Sequence, residues 1–393
     1  MTDQTSQAEL VRQSLKRRYR KERRFRAYGI MAIAIALSAL VILFADIIGK
    51  GSAGFMKTTL NLEVELDGEM MYLDDATDER QIKMADFVEP LIQALMKELP
   101  SASESDRSAV RDLINPYASV TLRDALKENP DWLNTSRSMT FLAHTDVDVF
   151  VKHAGDGAYS IKLTEQQRDW VNQLVEKGVV ETSFNDTFFK NGDSRDPSKA
   201  GILGAMIGSL LTMVVTLALS FPIGVAAAIY LEEFAPQNKV TDFIEVNINN
   251  LAAVPSIIFG LLGLAVFINL FGMPRSVPVV GGLVLTLMTL PTIIISSRAA
   301  IKSVPPSIRE AAEGIGASKM QVVLHHVLPL AMPGMLTGSI IGMAQALGET
   351  APLLLIGMVA FIVDVPSGFF DSATVLPVQV FLWAGSPELA FIE

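Results

Sequence analysis

Long apolar runs separated by polar stretches dominate the chain after residue 26, and their lengths predict its organisation. A helix rises about 1.5 Å per residue, so about 20 apolar residues cross a hydrocarbon core about 30 Å thick. Runs of this length predict five membrane spans, at 27–49, 200–231, 251–271, 279–296 and from near Leu330 onward. The pattern therefore indicates an all-α polytopic membrane protein.

Residues 50–199 lack such runs and show the shorter periods of a soluble domain. In 58-TTLNLEVEL-66 apolar residues alternate with polar ones, which is typical of a half-buried strand. Asp67-Gly68 follows at once and precedes 69-EMMYL-73. An Asp-Gly pair between two such runs predicts a β-hairpin, so we expect these two runs to pair with each other.

Helical and strand patterns alternate through the rest of this region. Helices are predicted at 84–99 and 164–178, the second opening with a capping box between Thr164 and Gln167. A strand is predicted at 138–153. Together these patterns predict an inserted α+β domain that is large enough for one hydrophobic core.

The predicted strand 138–153 carries His144, Asp146 and Asp148, and alternation along a strand places all three on one face. Carboxylates and an imidazole grouped in this way could hold a metal ion. A solvated polar face explains the same pattern, and we favour this interpretation, so we expect no metal site.

A polar, glycine-punctuated segment, 310-EAAEGIGASKMQVVLHHVLP-329, lies between the fourth and fifth predicted spans. Pro305-Pro306 ends the preceding structure, and Ser307 with Glu310 forms a capping box that predicts a helix start. Apolar residues at i, i+3, i+4 and i+7 predict one small-residue face on this helix. They are Ile308, Ala311, Ala312 and Ile315.

A second short helix is predicted after Gly316, which suits the C-terminus of the first. Ser318 and Gln321 form another capping box, and we expect this helix to end at Pro329. Two short helices joined by a glycine turn form a compact knob that a soluble partner could receive in a groove. An interfacial helix pair without a partner is the alternative. We refer to residues 298–329 as the helix-pair loop.

The net charge of -10 is distributed unevenly along the chain. The basic run 16-KRRYRKERRFR-26 precedes the first predicted span, whereas residues 51–199 are acidic. Lys/Arg-rich flanks stay in the cytoplasm, so residues 1–26 are expected to form a cytoplasmic tail. Binding of nucleic acid or lipid headgroups is the alternative role for this run. A cleaved signal peptide is not expected, because the basic region is long and no A-x-A site closes the apolar run.

This orientation places residues 50–199 outside and the helix-pair loop in the cytoplasm. Basic residues that flank the loop agree with that placement, namely Arg298, Lys302, Arg309 and Lys319. The chain has no cysteine, so disulfides and cysteine-based metal sites are excluded. The external domain is acidic, and we expect it to be a docking or assembly surface rather than a substrate site.

The fifth predicted span opens with Gly334, Gly338 and Gly342, two overlapping GxxxG steps that predict close helix packing. Gln345 and Glu349 follow one turn apart. An ionisable group inside a span is a functional candidate, and a carboxylate with a structural partner is the alternative.

Distance along the helix decides which cation could pair with Glu349. From Ala331 to Glu349 the helix advances about 27 Å, which places Glu349 near the outer side. Arg298 lies near the inner side, so direct pairing is not expected, whereas Arg275 in the outer loop is nearer in depth. We expect Glu349 to help close an outer gate. Arg298 could line an exit at the inner side, or serve orientation or docking.

Three segments resemble the A-type permease subunits of phosphate (Pst) ABC importers: 253-AVPSIIFGLLGLA-265, 305-PPSIREAAEGIGAS-318 and 345-QALGETAPLLLIG-357. The similarity covers roughly residues 200–360. The Gly-Glu-Thr-Ala-Pro run favours phosphate over relatives that carry molybdate or sulfate. The resemblance implies the type I permease fold of ABC importers for residues 200–393, a bacterial inner-membrane location and a periplasmic position for the inserted domain.

Two features depart from this family's pattern. The external insert, residues 50–199, is longer than the short loop of many members, so the resemblance implies no role for it. The chain also ends at Glu393, where the pattern predicts one more span. We expect either a truncated sequence or the absence of that last helix.

The resemblance also implies roles for particular residues. The helix-pair loop corresponds to the EAA loop, which would dock an ATPase through Glu310, Ala311, Ala312, Gly316, Ser318 and Pro329. Candidates for the pathway or its gate are Gln345, Glu349, Thr350, Arg275 and Arg298.

Partners follow from the resemblance and from one motif that the chain lacks. The sequence contains no GxxxxGK[ST], so ATP and Mg would be bound by a separate homodimeric ATPase and no cofactor is expected on this chain. The resemblance implies a second permease subunit, a periplasmic phosphate-binding protein and membrane lipid as further partners, and no nucleic acid. A secondary transporter and a receptor-like regulatory subunit are the alternative functions.

Overall fold

The computed structural model describes residues 3–153, 161–386 and 391, so residues 154–160 of the predicted external domain lie outside the described residues. The N-terminal region forms a unit of its own up to Met56. Within it, helix α1 runs without interruption over Asp3–Gly51. The stretch Arg17–Phe55 is long and apolar enough to cross a membrane. The first predicted span is therefore helical throughout.

The inserted domain is built on a three-stranded sheet in the order β2-β1-β3. The strands are β1 (Met56–Glu65), β2 (Ser136–Leu142) and β3 (Val180–Phe184). Strands β1 and β2 are antiparallel, with Thr59 opposite Leu142 and Glu65 opposite Ser136. Alternate residues of β1, namely Leu60, Leu62 and Val64, are buried in one apolar cluster with Trp170 and Leu174. The period-two pattern thus identified the buried face of β1 correctly.

Helices surround this sheet. They are α2 (Gly68–Met71), α3 (Glu79–Met84), α4 (Glu89–Glu98), α5 (Arg107–Arg111), α6 (Ala118–Glu128), α7 (Thr145–Lys152), α8 (Glu165–Glu176) and α9 (Asp186–Lys190). The predicted helix 84–99 corresponds to α4 and begins later than expected. The capping box between Thr164 and Gln167 at the start of α8 is confirmed, and Gly178 beyond its end has a φ of 72°.

The predicted hairpin is wrong. Strand β1 pairs with β2 from 70 residues further along, and Asp67 caps helix α2 by accepting a hydrogen bond from the Glu69 amide at 2.9 Å. Gly68 is required because a Cβ there would collide with the backbone oxygen of Leu73. An Asp-Gly pair suits a helix N-cap as well as a turn. Strand β1 therefore pairs with β2 instead of forming a hairpin with residues 69–73.

The predicted strand 138–153 is correct only for its first half. Strand β2 ends at Leu142 and α7 follows, with His144 as the N-cap whose Nδ1 accepts from the Asp146 amide at 3.2 Å. Helical backbone removes the strand alternation on which the shared face of His144, Asp146 and Asp148 depended.

The remaining chain forms a helical core. Its helices are α10 (Leu203–Ile229), α11 (Lys239–Ala252), α12 (Ser256–Gly263), α13 (Pro278–Lys302), α14 (Pro306–Gly314), α15 (Lys319–Val322), α16 (Leu328–Leu347), α17 (Ala351–Leu355) and α18 (Leu376–Ala384). Three π-helical turns, Tyr230–Phe234, Leu264–Leu270 and Val323–Val327, extend α10, extend α12 and join α15 to α16. The predicted spans 200–231 and 279–296 correspond to α10 and α13.

Close contacts at glycines show which of the long helices are parallel and which are antiparallel. Gly282 lies against Thr212 and Val215, and Gly224 lies against Ile293, so α10 and α13 run parallel. Contacts of α16 with α13 progress in opposite directions along the two helices, so these two are antiparallel. The end of α10, the end of α13 and the start of α16 therefore lie together at one end of the core, which we call the loop end. The start of α10 lies at the opposite end, which we call the strap end.

The third predicted span differs from the structure. Residues 251–271 begin in α11, and the chain bends by 100° before α12 and its π-helical extension to Leu270. Helices α10 and α13 are parallel, so this bent pair carries the chain back between the two ends as a broken span. Within the described residues, four helices are long and apolar enough to cross a membrane, or five with the bent pair.

Candidate functional site

The helix-pair loop projects from the loop end as two short helices. Pro306 lies in the first turn of α14, where a missing amide hydrogen costs nothing, and the N-cap residue is Pro305. The predicted capping box of Ser307 and Glu310 is therefore wrong, because the proline pair already starts the helix. The second box is confirmed, since Ser318 and Gln321 cap α15 reciprocally.

The turn between the two helices depends on Gly316. Its φ of 90° lies in the left-handed region, and nothing lies within 4 Å of where a Cβ would be. Its amide donates to the Glu313 carbonyl at 2.9 Å, and the Ala317 amide donates to the Ala312 carbonyl at 3.1 Å. The glycine is therefore required by backbone conformation rather than by space.

The second helix does not end at Pro329, as the sequence predicted. Residues 319–347 form one continuous helical run, with a π-helical turn at Val323–Val327 directly before Pro329. Pro329 therefore lies inside this run, and the π-helical turn before α16 accommodates the proline and its missing donor. Helix α15 is therefore rigidly continuous with the fifth predicted span.

One side of α14 packs against the core and the other is exposed. Ala312 is buried with Ile301, Val304 and Val322, and Ile308 packs against the same cluster. Of the predicted apolar face, Ala311 is exposed and Ile315 is 83% exposed. Glu310, Gly316, Ser318, Met320 and Pro329 are also exposed. The loop thus presents an apolar tip with no covering residue in the described chain.

A cluster of charged side chains fastens this loop to the core. Arg298 of α13 binds the Glu232 carboxylate at 2.5 Å and the Glu245 carboxylate at 2.6 Å. Lys302 approaches Glu232 at 3.3 Å. The Arg298 and Glu232 side chains are only 13% and 11% exposed, so these charges compensate one another away from water.

Helix α14 joins the same cluster through Arg309. Its guanidinium binds Glu233 at 2.8 Å and donates to the backbone carbonyls of Ile301 and Val304. The Lys319 ammonium at the start of α15 lies 5.3 Å from the centre of the Phe234 ring. Both helices of the loop are therefore tied to the turn 230–234 that ends α10.

Sequence reasoning missed the carboxylates of this cluster. Residues 232–239 read as a polar link between spans, and Glu245 read as part of a polar segment before a span. The available signal was the pair Glu232-Glu233 directly after an apolar run, opposite the cluster of bases at the end of α13. Two carboxylates at a membrane boundary need partners, and those bases are the nearest candidates.

The three glycines of α16 face α13, but they are not equally tight. A Cβ on Gly334 would lie 2.8 Å from the Ala300 Cβ, and one on Gly338 would overlap Ser296. At Gly342 a Cβ would sit at an ordinary 3.8 Å from Ile293 and Thr292. Close packing therefore concentrates at the half of α16 nearest the helix-pair loop.

Glu349 lies beyond the end of α16, in the break between α16 and α17. The helix stops at Leu347, so Gln345 and Glu349 do not belong to one continuous helix as predicted. Glu349 is half-buried and Thr350 precedes α17. Gln345 is exposed, although its position seven residues after Gly338 puts it on the same face of α16 as the glycines. The structure describes no ion pair for Glu349.

The depth of Glu349 follows from the α13–α16 register. Gly342 lies level with Thr292, so Glu349 lies about level with Thr286, which is about 12 Å from the strap end of α13. Arg275 is exposed beyond that end, next to Ser276, whose hydroxyl donates to the Gly357 carbonyl at 2.5 Å. Neither Arg275 nor Arg298 is an ion-pair partner of Glu349 in the described structure.

The inserted domain shows no comparable set of metal ligands. Among the residues that the structure describes, no group of three or more histidine or carboxylate side chains is arranged to hold a metal ion. His144 and Asp146 border a cavity of about 520 Å³ whose lining also includes Arg111 and Lys162. Basic side chains beside these carboxylates do not favour a cation.

Two known families match different parts of the chain. Residues 220–386 match the binding-protein-dependent transport system inner membrane component, a range that contains the helix-pair loop and the ion cluster. Residues 12–160 match a domain of unknown function, DUF3333.

Individual relatives resemble mainly the helical core. The probable ABC transporter permease proteins YqgI and YqgH of Bacillus subtilis are 34% identical over 181 residues and 31% identical over 229 residues. These matches cover 46% and 57% of this chain, and 60% and 72% of the relatives. The phosphate transport system permease protein PstA of Mycobacterium leprae is 32% identical over 193 residues, which cover 48% of this chain and 62% of that protein. The chain thus spans about three-fifths of the length of two of these three relatives.

Proposed function

The chain belongs to the family of binding-protein-dependent transport system inner membrane components, and we propose that it is one permease subunit of an ATP-driven importer of inorganic phosphate. The observation that carries the proposal is the helix-pair loop, whose apolar tip is exposed and whose bases form ion pairs with the end of α10 and with α11. The names of the relatives support the substrate, since PstA proteins are phosphate transport system permeases.

The proposed topology follows from charge. The basic run before the first span favours a cytoplasmic N-terminus, and the bases around the helix-pair loop favour a cytoplasmic loop end. The inserted domain would then be periplasmic, on the strap end of the core. Residues 27–49 would be the first transmembrane helix of a bacterial inner-membrane protein.

The helix-pair loop would dock on a separate ATPase subunit. Ala311, Ile315 and Met320 offer exposed apolar contacts, and Glu310 adds a carboxylate beside them. ATP and Mg would be bound by that subunit, because this chain contains no Walker A sequence. A second permease subunit would complete the pathway, and an external phosphate-binding protein would deliver substrate.

Motion of the ATPase would reach the core by two routes. Helix α15 continues directly into α16, and Arg309 transfers force from α14 to Glu233 at the end of α10. These helices run the length of the core, so a displacement at the loop end would alter the opposite end. Alternating access to the pathway would result.

Glu349 would act at the outer part of this pathway. A half-buried carboxylate without a described ion pair is costly inside a membrane unless it faces water or a partner. Phosphate is an anion and would be repelled, so the proposed role is gating, together with Thr350 and Gln345. Glu349→Gln is expected to reduce phosphate uptake while the ATPase still co-purifies. Unchanged uptake would contradict this role.

The decisive experiment is ATP-dependent uptake of labelled phosphate by vesicles that hold the reconstituted complex. Unlabelled phosphate should compete, and sulfate or molybdate should not. Competition by either of those oxyanions at similar concentration would instead assign the chain to an importer for that anion. Uptake without a Walker-containing subunit would indicate a secondary transporter.

Docking has its own test with a matched control. Gly316→Ala introduces a side chain at a φ of 90° and should abolish co-purification of the ATPase, because the turn between the helices is lost. Gly314→Ala, two residues away, meets nothing within 4 Å and should leave co-purification unchanged. Equal behaviour of the two variants would refute the docking role.

A further inference from the structure

The segment that joins the inserted domain to α10, residues 185–202, contacts several elements of the domain; we call this segment the strap. Lys57 of β1 forms an ion pair with Asp186 at 2.5 Å. The Lys199 ammonium lies 3.7 Å from the centre of the Tyr117 ring, at the start of α6. The strap is therefore fixed to two separate elements of the inserted domain.

The strap is fixed equally to the helical core. The indole Nε1 of Trp383 in α18 donates to the Asp193 carboxylate at 3.1 Å, and its ring lies 6.2 Å from the Phe188 ring. The Arg195 guanidinium lies 5.6 Å from the centre of the Phe361 ring. An ion–dipole contact, a ring contact and a cation–π contact thus join the strap to α18 and to the loop before it.

The closest approach is between backbones. A Cβ on Gly192 would overlap the carbonyl of Val363, so the backbone of the strap and the backbone of the loop at Val363 are in direct contact. The strap is held in this position by its own hydrogen bonds, from the Gly201 amide to the Gly192 carbonyl at 2.8 Å and from the Leu203 amide to the Asn191 carbonyl at 3.0 Å. Displacement of the loop at Val363 must therefore displace the strap.

The loop that the strap holds, residues 359–371, closes the strap end of the core. It directly follows the segment that contains Glu349 and α17. The Val279 amide at the start of α13 donates to the Phe369 carbonyl at 3.1 Å, and the Ala373 amide donates to the Ser276 carbonyl at 2.7 Å. The loop therefore contacts α13 and the strap, and the residues on either side of it, Gly357 and Ala373, contact the outer turn at Ser276.

We propose that the inserted domain is a brace for the outer gate, which holds residues 359–371 closed through the strap and must shift when the gate opens. The proposal rests on the permease function proposed above. It assigns a role to a domain that matches a family described as of unknown function. The domain has its own buried core, so it acts as a rigid mass attached to the loop. Its acidic surface needs no contact with the substrate for this role.

Two glycines allow a matched test. Gly192→Ala drives a methyl group into the Val363 carbonyl and should force strap and loop apart, since a backbone cannot move aside as a side chain can. Gly204→Ala, at the strap end of α10, places its methyl at an ordinary 3.6 Å from the Gly192 Cα and 3.9 Å from the Asp364 carbonyl. The two variants make the same chemical change beside the same strap.

Opening of the outer gate is measured by the labelling rate of a single introduced cysteine. The chain has no cysteine, and Ser276 is 8% exposed, so Ser276→Cys introduces a unique buried thiol at the outer turn. The full chain, assembled with its ATPase in right-side-out vesicles, is treated with a membrane-impermeant maleimide. Gly192→Ala should raise the labelling rate several-fold and lower the phosphate transported per ATP. Gly204→Ala should change neither.

Equal labelling rates for Gly192→Ala and Gly204→Ala would overturn the brace. If Gly192→Ala does not accumulate in the membrane, Trp383→Phe replaces it, because this change removes only the donor to Asp193 and keeps the ring beside Phe188. Faster labelling would then support the brace, and an unchanged rate would overturn it. Labelling does not require transport, so failure of the brace is distinguishable from absence of phosphate uptake.

Discussion

The two ends of the helical core are held by different interactions. At the loop end, Glu232, Glu233 and Glu245 share the guanidinium groups of Arg298 and Arg309. At the strap end, backbones touch directly where Gly208 lies under Thr374 and Gly192 lies under Val363. Ion pairs therefore dominate at the loop end, and van der Waals packing of backbone against backbone dominates at the strap end.

The two kinds of contact allow different motions at the two ends. Coulomb attraction falls slowly with distance, and an arginine shared by two carboxylates can shift between them without losing both partners. Van der Waals attraction falls much more steeply, and a gap of about 0.5–1 Å already removes a quarter to a half of it. The loop end is therefore suited to transmit graded motion, whereas the strap end is suited to be either shut or open.

Removal of one carboxylate at the loop end is expected to have the largest effect. Glu232→Ala leaves Lys302 without its described ion pair and leaves the nearly buried Arg298 with Glu245 alone. Breaking a buried ion pair costs about 3–5 kcal/mol, and the retained Glu245 places the expected loss near about 3 kcal/mol. The thermal midpoint of the solubilised complex should fall by several degrees, and most phosphate uptake should disappear.

Glu313→Ala is the control for this change. Glu313 is exposed on α14, and the structure describes no ion pair for it. It should match the parent in thermal midpoint and uptake. If both variants lose stability equally, general loss of negative charge rather than the buried cluster holds the loop end.

A small steric change at the strap end ranks second. Gly208→Ala on α10 would push a methyl group into the Thr374 carbonyl and against the Ala373 Cβ. Overpacking of this kind costs about 1–3 kcal/mol, because the backbone has to yield. Gly204→Ala, one turn away, has ordinary clearance and should be neutral. The thermal midpoints of the two variants measure this difference in stability. Equal midpoints would show that the backbone at the strap end can shift to accommodate a methyl group without cost.

Sequence patterns predicted the parts of this fold that depend on local periodicity. Apolar runs identified α10 and α13, and reciprocal caps identified α8 at Thr164 and α15 at Ser318. These features involve residues within a few positions of one another, so the necessary information is local. The close packing expected at Gly334 and Gly338 also follows from spacing along one helix.

Features that depend on distant partners were missed. The hairpin at Asp67 failed because β1 pairs with a strand 70 residues later, and the bend before Ser256 divides what read as one apolar run. Glu232 and Glu245 gained their role only when folding brought Arg298 between them. Sequence spacing carries no information on such pairings, because the intervening chain sets the geometry.

A smaller effect is expected from the aromatic contact at the loop end. Phe234→Leu keeps an apolar side chain but removes the ring beneath Lys319, at a cost of about 0.5–1 kcal/mol. ATP hydrolysis should persist while phosphate transported per ATP falls by a few-fold, because α15 loses one of its ties to α10. Phe243→Leu on the exposed face of α11 should leave that ratio unchanged. A fall in both variants would indicate that aromatic bulk, and not the contact with Lys319, matters.

The smallest effect concerns Asp186, which forms the ion pair between the strap and β1. Hydrogen bonds from Lys57 and Lys190 hold the pKa of Asp186 well below its usual range, so the folded state favours the carboxylate. Its contribution is therefore present above the usual aspartate pKa of about 4 and is lost as pH falls through the lower folded value. Asp186→Asn should lower the thermal midpoint slightly at neutral pH, and the difference from the parent should shrink progressively below about pH 4 and vanish only as the pH approaches the lower folded pKa. Asp169→Asn, at an exposed position with no described ion pair, should show no difference at either pH. A loss at neutral pH as large as that of Glu232→Ala would mean that charge, and not close contact, holds the strap end as well.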